Sequence, residues 1–67
     1  MSFRSARVNA GLSVTDVMNA LNVTDAAVYQ WETGANIPKG SRLPEIAKLY
    51  DCTIDDLFRE DESSITD

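Results

Sequence analysis

The sequence predicts an all-α protein, a compact bundle of five short helices. Three observations lead there. Apolar residues recur at spacings of three and four rather than two. Helix-capping residues (Ser13, Thr24, Thr53) stand directly before such stretches. Residues that tolerate left-handed backbone (Gly11, Asn22, Gly34) stand directly after three of them. With 67 residues, 43% of them hydrophobic, the chain has material for one core and little room for an enclosed catalytic cleft.

Each element has its own signature. Phe3, Ala6, Arg7 and Ala10 fall on one side of a first helix, which Gly11 can end while Leu12 tucks back onto the core. Ser13 opens the second, and Ser13-Val-Thr-Asp16 fits a capping box, with Asp a shorter partner than the usual Glu. Val17, Met18 and Leu21 form its buried stripe, Asn22 ends it, and Val23 plugs the turn. Thr24 caps the third helix. Asp25 sits in its first turn, where a carboxylate suits the helix dipole. Ala27, Val28 and Trp31 point inward, and Gly34 closes it. Residues 35–41 are a loop, since Pro38 and Gly40 resist regular structure. A fourth helix runs from about Arg42 to Tyr50, with Pro44 in its first turn and Leu43, Ile46, Ala47 and Tyr50 inside. A last short helix follows Thr53 and carries Ile54, Leu57 and Phe58. Residues 1–58 thus form one domain, and 59–67 an acidic, frayed tail.

Composition excludes several function classes. No apolar run approaches the ~20 residues of a membrane helix, and the N-terminus lacks the layout of a signal peptide, so a cytoplasmic protein is expected. The lone Cys52 reads as a small core residue. Without histidine, and with one cysteine, no metal site is expected. A serine triad would lack its base, the adjacent Asp55 and Asp56 point differently, and no glycine-rich phosphate loop exists. No catalytic residue, cofactor or small-molecule ligand is therefore assigned.

The net charge of -5 argues at first against nucleic acid, but its distribution changes the argument. Residues 1–50 carry five basic side chains against four acidic ones, while 51–67 carry one against seven. The acidity belongs to the C-terminal end. Any DNA binding by the rest must use a few placed cations, not a general field.

The second and third helices, joined by a short turn and sharing Val17, Leu21, Val23, Val28 and Trp31, look like a helix-turn-helix, which projects the outer face of its second helix. At this point the chain resembles a family: the phage repressor and Cro-like helix-turn-helix DNA-binding domains (lambda repressor-like fold, XRE family). The residues that carry the resemblance are GLSVTDVMNALNVTDAAVYQWETG and RLPEIAKLYDCTIDDLF, within residues 3 to 58.

The resemblance implies roles position by position. Arg7 matches a first-helix arginine that pairs with the glutamate ending the recognition helix, here Glu32. Asp25, Ala26, Tyr29 and Gln30 match positions facing the major groove. There Gln30 could bond adenine N6 and N7, and Asp25 could accept from cytosine N4. Ser13, Thr24, Asn36, Lys39, Ser41 and Arg42 are implied phosphate contacts, the plain alternative for each being a solvated polar side chain. The sequence also departs from the family pattern. Val14 replaces a phosphate-binding Gln, Met18 replaces an Ala at the helix crossing, and the recognition helix carries neither Arg nor Lys.

The implied function is sequence-specific binding of double-stranded DNA by a transcriptional regulator of phage or prophage type, acting as a repressor. The partners would be a near-palindromic operator and a second copy of the chain in a weak homodimer, with Leu57 and Phe58 as the shared patch. The alternative is a protein-interaction module on the same fold, partner-binding or anti-repressor. A DNA binder should gather Arg4, Arg7, Lys39 and Arg42 on the side where Gln30 points; an interaction module would scatter them.

Overall fold

The computed structural model describes residues 2–59. The acidic tail, including Glu60, Asp61 and Glu62, lies outside these described residues except for Arg59. Among the described residues every regular element is helical: α1 (Phe3–Asn9), α2 (Val14–Leu21), α3 (Asp25–Thr33), α4 (Leu43–Leu49) and α5 (Ile54–Phe58). No described helix is long and apolar enough to cross a membrane.

Local chemistry starts and stops each helix. Ser13 and Asp16 close a complete capping box: Asp16 N–H donates to Ser13 Oγ at 3.0 Å and Ser13 N–H to Asp16 Oδ2 at 2.9 Å. The shorter Asp therefore closes the box. The same box recurs at Ser2–Ser5 and Thr53–Asp56. Both capping carboxylates lie below the usual carboxylate range, because the backbone N–H they accept from, then the cap hydroxyl, favours their charged form. Thr24 caps α3 through Ala27 N–H.

Helix ends turn through left-handed residues. Gly11 (φ 76°) ends α1 with the paired bonds Leu12 N–H to the Arg7 carbonyl and Gly11 N–H to the Val8 carbonyl. Asn22 (φ 57°) ends α2. At the end of α4 the left-handed residue is Asp51 (φ 56°), which the sequence does not advertise. It permits the same closure, Cys52 N–H to the Ala47 carbonyl at 2.9 Å. Helix α4 is one residue shorter at each end than the 42–50 expected, because Arg42 and Tyr50 serve as its caps.

The core gathers one stripe from each helix: Phe3 and Ala6, Val17 and Leu21, Val28 and Trp31, Ile46 and Ala47 with Tyr50, and Leu57. Helix α3 packs on α2 and α1, while α5 packs on α1 and α4. The helix-turn-helix is thus held from below by α1, which α5 backs in turn, and the outer side of α3 is left open. Leu57, one of the two residues expected at a surface between copies, is 2% exposed and belongs to the core. Helix α5 inserts it into the core where that helix packs on α1 and α4, so it cannot form that surface. Phe58 is half exposed and rests edge-on against Phe3, with ring centroids 5.4 Å apart.

Candidate nucleic-acid interface

Helix α3 has two unlike faces. Val28 and Trp31 are buried, while Asp25, Ala26, Tyr29 and Gln30 are all exposed. The split follows from the 3.6-residue period: Val28 and Trp31 differ by three, and the four outer positions fill the opposite arc.

The inner end of α3 is locked by an ion pair. Arg7 Nε donates to Glu32 Oε2 at 2.6 Å and Nη2 to Oε1 at 3.4 Å, a fork-on-fork arrangement between side chains only 12% and 8% exposed. Arg7 Nη1 also donates to the Leu12 carbonyl at 2.9 Å. One guanidinium thus ties together α1, the turn after it and the last turn of α3. The bond to Glu32 is the main reason the Arg7 pKa is raised, with desolvation opposing it. The Tyr50 hydroxyl is buried without a hydrogen-bond partner among the described residues. Its pKa is pushed up to about 12, chiefly by burial and next by the charge of Glu32.

The outer side of α3 borders an open groove. Gln30 lines it from the helix, Asn36 and Lys39 from the following loop, and Ser41 and Arg42 from the start of α4. The loop passes over the end of α3 because Gly34 (φ 84°) reverses the chain there, at a backbone angle L side chains rarely adopt. Asn36 then bonds Gln30 twice. Its N–H donates to the Gln30 main-chain carbonyl at 3.3 Å, and its Nδ2 donates to Gln30 Oε1 at 3.1 Å.

Arg42 has a second task. Its Nη1 donates to the Leu21 carbonyl at 2.8 Å and to Glu45 Oε1 at 3.2 Å. A cation at the last turn of α2 satisfies one of the carbonyls left open there and opposes the negative end of the helix dipole. Arg42 therefore braces the helix-turn-helix against α4 while lining the groove. No spacing rule links residue 42 to residue 21, so the sequence held no signal for this contact. The Asn36–Gln30 bonds were equally hidden, since a loop residue finds its partner only once the loop is folded.

The cations are partly gathered. Lys39 and Arg42 share the groove with Gln30, Arg7 is committed to Glu32, and Arg4 lines a separate hollow with Val8 and Asn9. Ser13 Oγ and Thr24 Oγ1 each accept a capping N–H; the Ser13 hydroxyl also turns to the Asp16 carboxylate, while the Thr24 O–H is left able to donate outward. Val14 and Met18, the two departures in α2, are partly buried and pack against the core. Val14 thus takes a packing role where the resemblance has a phosphate-binding amide. Cys52 is partly buried, and burial first, then the charges of Asp56 and Asp51, raises its thiol pKa. Among the described residues no group of three His, Cys, Asp or Glu side chains could hold a metal ion.

A family model described as helix-turn-helix matches residues 3–57. No curated protein and no solved structure gives a significant match to the chain.

Proposed function

The chain belongs to the Cro/C1-type helix-turn-helix family, a family of DNA-binding regulatory domains, and from that premise we propose that it is a repressor of phage or prophage type working in the cytoplasm. It reads a near-palindromic operator by laying α3 in the major groove. The observation that carries this reading is the exposed arc Asp25, Ala26, Tyr29 and Gln30, on a helix whose opposite arc is buried, beside a groove lined by Lys39, Ser41 and Arg42.

In this reading Gln30 addresses a base edge, Tyr29 contacts a sugar or a thymine methyl, and Asp25 accepts from a cytosine amino group. Asp25 Oδ1 already accepts from the Ala26 N–H at 2.7 Å, which holds its carboxylate at the helix start. Lys39, Ser41, Ser13 and Thr24 reach phosphates. With Lys39 and Arg42 as the groove cations, each domain should show a shallow salt dependence, a log–log slope of about -0.9 per phosphate neutralised.

A single recognition helix reads few base pairs, so two copies would sit on successive major grooves of one duplex. Phe58 supplies an apolar contact for such a pair, opposed by the like charges of Asp55 and Asp56. The dimer is therefore weak in free solution and strengthened on DNA. Sedimentation with and without a palindromic duplex measures it; one domain per duplex at saturation on every site rules it out.

A second reading, a protein-interaction module, is favoured by one feature: α3 carries neither Lys nor Arg while exposing Asp25. Titration against selected duplexes at two salt concentrations separates the two. Affinity that falls with salt, together with a Gln30→Ala change costing about 1–3 kcal/mol at one base position, supports DNA readout. Equal affinity for every duplex before and after that change removes Gln30 as a base reader.

A further inference from the structure

We propose that Asn36 sets which base Gln30 reads, by holding back the carbonyl end of the Gln30 amide and leaving its amino group foremost, so that guanine is favoured over adenine. The inference rests on the reading of Gln30 as a base contact. It reverses the adenine preference expected for an unconstrained glutamine.

The geometry is a two-point attachment. The Asn36 main chain donates to the Gln30 main-chain carbonyl at 3.3 Å, which fixes the loop over the last turns of α3. From that fixed point, Asn36 Nδ2 donates to Gln30 Oε1 at 3.1 Å. Both side chains are exposed, and both line the groove that also holds Lys39. An amide NH2 can only donate, so its partner must be the oxygen end of Gln30. The Gln30 oxygen is thereby drawn toward the loop. The amino group, at the other corner of the same planar amide, points away from Asn36.

A free glutamine reads adenine with both corners, accepting from N6–H and donating to N7. With the oxygen held back, the leading group is a donor. Guanine presents two neighbouring acceptors in the major groove, O6 and N7, and suits that donor. Adenine offers that donor only N7, and its own amino group then meets a donor in place of the acceptor it needs.

The bond also makes the preference reversible by one substitution. Asn36→Asp keeps the shape of the side chain but replaces the donor with acceptors. It would bond the Gln30 amino group instead, turn the amide over and bring its oxygen forward. Asn36→Ala would release the amide altogether. Since residues 30 and 36 are exposed, none of these variants disturbs the core.

The test is selection of binding sites from a randomised duplex library with the unaltered chain. Titration then follows of the chain and its Gln30→Ala, Asn36→Asp and Asn36→Ala variants against duplexes carrying each base at the position that Gln30→Ala affects. The expected result is guanine over adenine by about ten-fold for the unaltered chain, the scale of one good amide contact. Asn36→Asp moves the preference to bases bearing an amino group, and Asn36→Ala, which frees the amide, brings the guanine-to-adenine ratio below one. A ratio unchanged in both Asn36 variants, while Gln30→Ala abolishes it, overturns the role of Asn36 and leaves Gln30 as the reader. A ratio that Gln30→Ala does not alter at any position overturns the base-contact reading and this inference with it. Because the ratio compares bases for one variant, the extra charge of Asn36→Asp cancels from it.

Discussion

The two faces of α3 follow opposite rules. The inner face is apolar and ends in a charged lock, Glu32 held by Arg7 at 2.6 Å with both side chains nearly buried. The outer face is polar, exposed and tied to the following loop through Asn36. A comparable contrast exists between the ion pairs themselves: Arg42–Glu45 spans 3.2 Å with side chains 35% and 58% exposed. Desolvation makes the inner pair specific and expensive to break, whereas water and salt weaken the outer one. The lesson is a division of labour. The inner face places the helix, and the outer face can change its side chains without moving it.

Four measurements can break or sharpen that comparison. The largest effect is expected from Trp31→Ala. Removing the biggest core side chain of α3 should cost about 3–5 kcal/mol, a large share of the ~5–15 kcal/mol a domain usually has. Thermal or urea unfolding measures it, and an undiminished transition would show that the inner face does not hold α3.

Glu32→Ala comes next. It leaves the Arg7 guanidinium short of its carboxylate in a nearly dry site and should cost about 2–3 kcal/mol, below the ~3–5 kcal/mol of a fully enclosed pair because a tenth of each side chain still meets water. The corresponding change at the outer pair, Glu45→Ala, should stay within about 0.5 kcal/mol. A double-mutant cycle on each pair gives the coupling, and equal values would erase the distinction between the buried pair and the exposed one.

Tyr50→Phe tests the orphan hydroxyl beside the lock. Deleting a buried donor that has no partner should be neutral or stabilising by up to about 1 kcal/mol. The same variant should remove an alkaline limb of the stability curve. The folded-state pKa of Tyr50 is raised from 10.0 to about 12, so its contribution is intact below pH 10 and is lost as pH rises from there toward 12. A clear destabilisation by Phe would mean the hydroxyl is bonded in solution.

The smallest effect concerns the exposed caps. Asp16 and Asp56 have folded pKa values lowered from 3.8. Their stabilisation is therefore present above that value and fades as pH falls through the lower folded ones. Acid titration of the melting temperature should show this limb shrink in the Asp16→Ala and Asp56→Ala variants. Gln30→Ala, on the outer face, should leave the melting temperature unchanged at every pH.

Much of the architecture is written locally, and local features are what a sequence displays. The five helices follow from periodic apolar residues, from Ser13, Thr24 and Thr53 before them, and from Gly11, Asn22 and Gly34 after them. These signals act over three to five residues, so neighbours along the chain suffice to read them. The Arg7–Glu32 pair was legible for a different reason: it came with the family resemblance, not with any spacing. Tertiary structure decided the rest. It turned Leu57 inward and left Phe58 half exposed, because helix α5 must close the core with one of two adjacent apolar residues and packing selects which. It sent Arg42 to the Leu21 carbonyl and Asn36 to Gln30, contacts that exist only after the loop has folded back across the end of α3. A side chain that can donate in several directions takes the partner its backbone brings within reach, and that reach is a property of the folded chain.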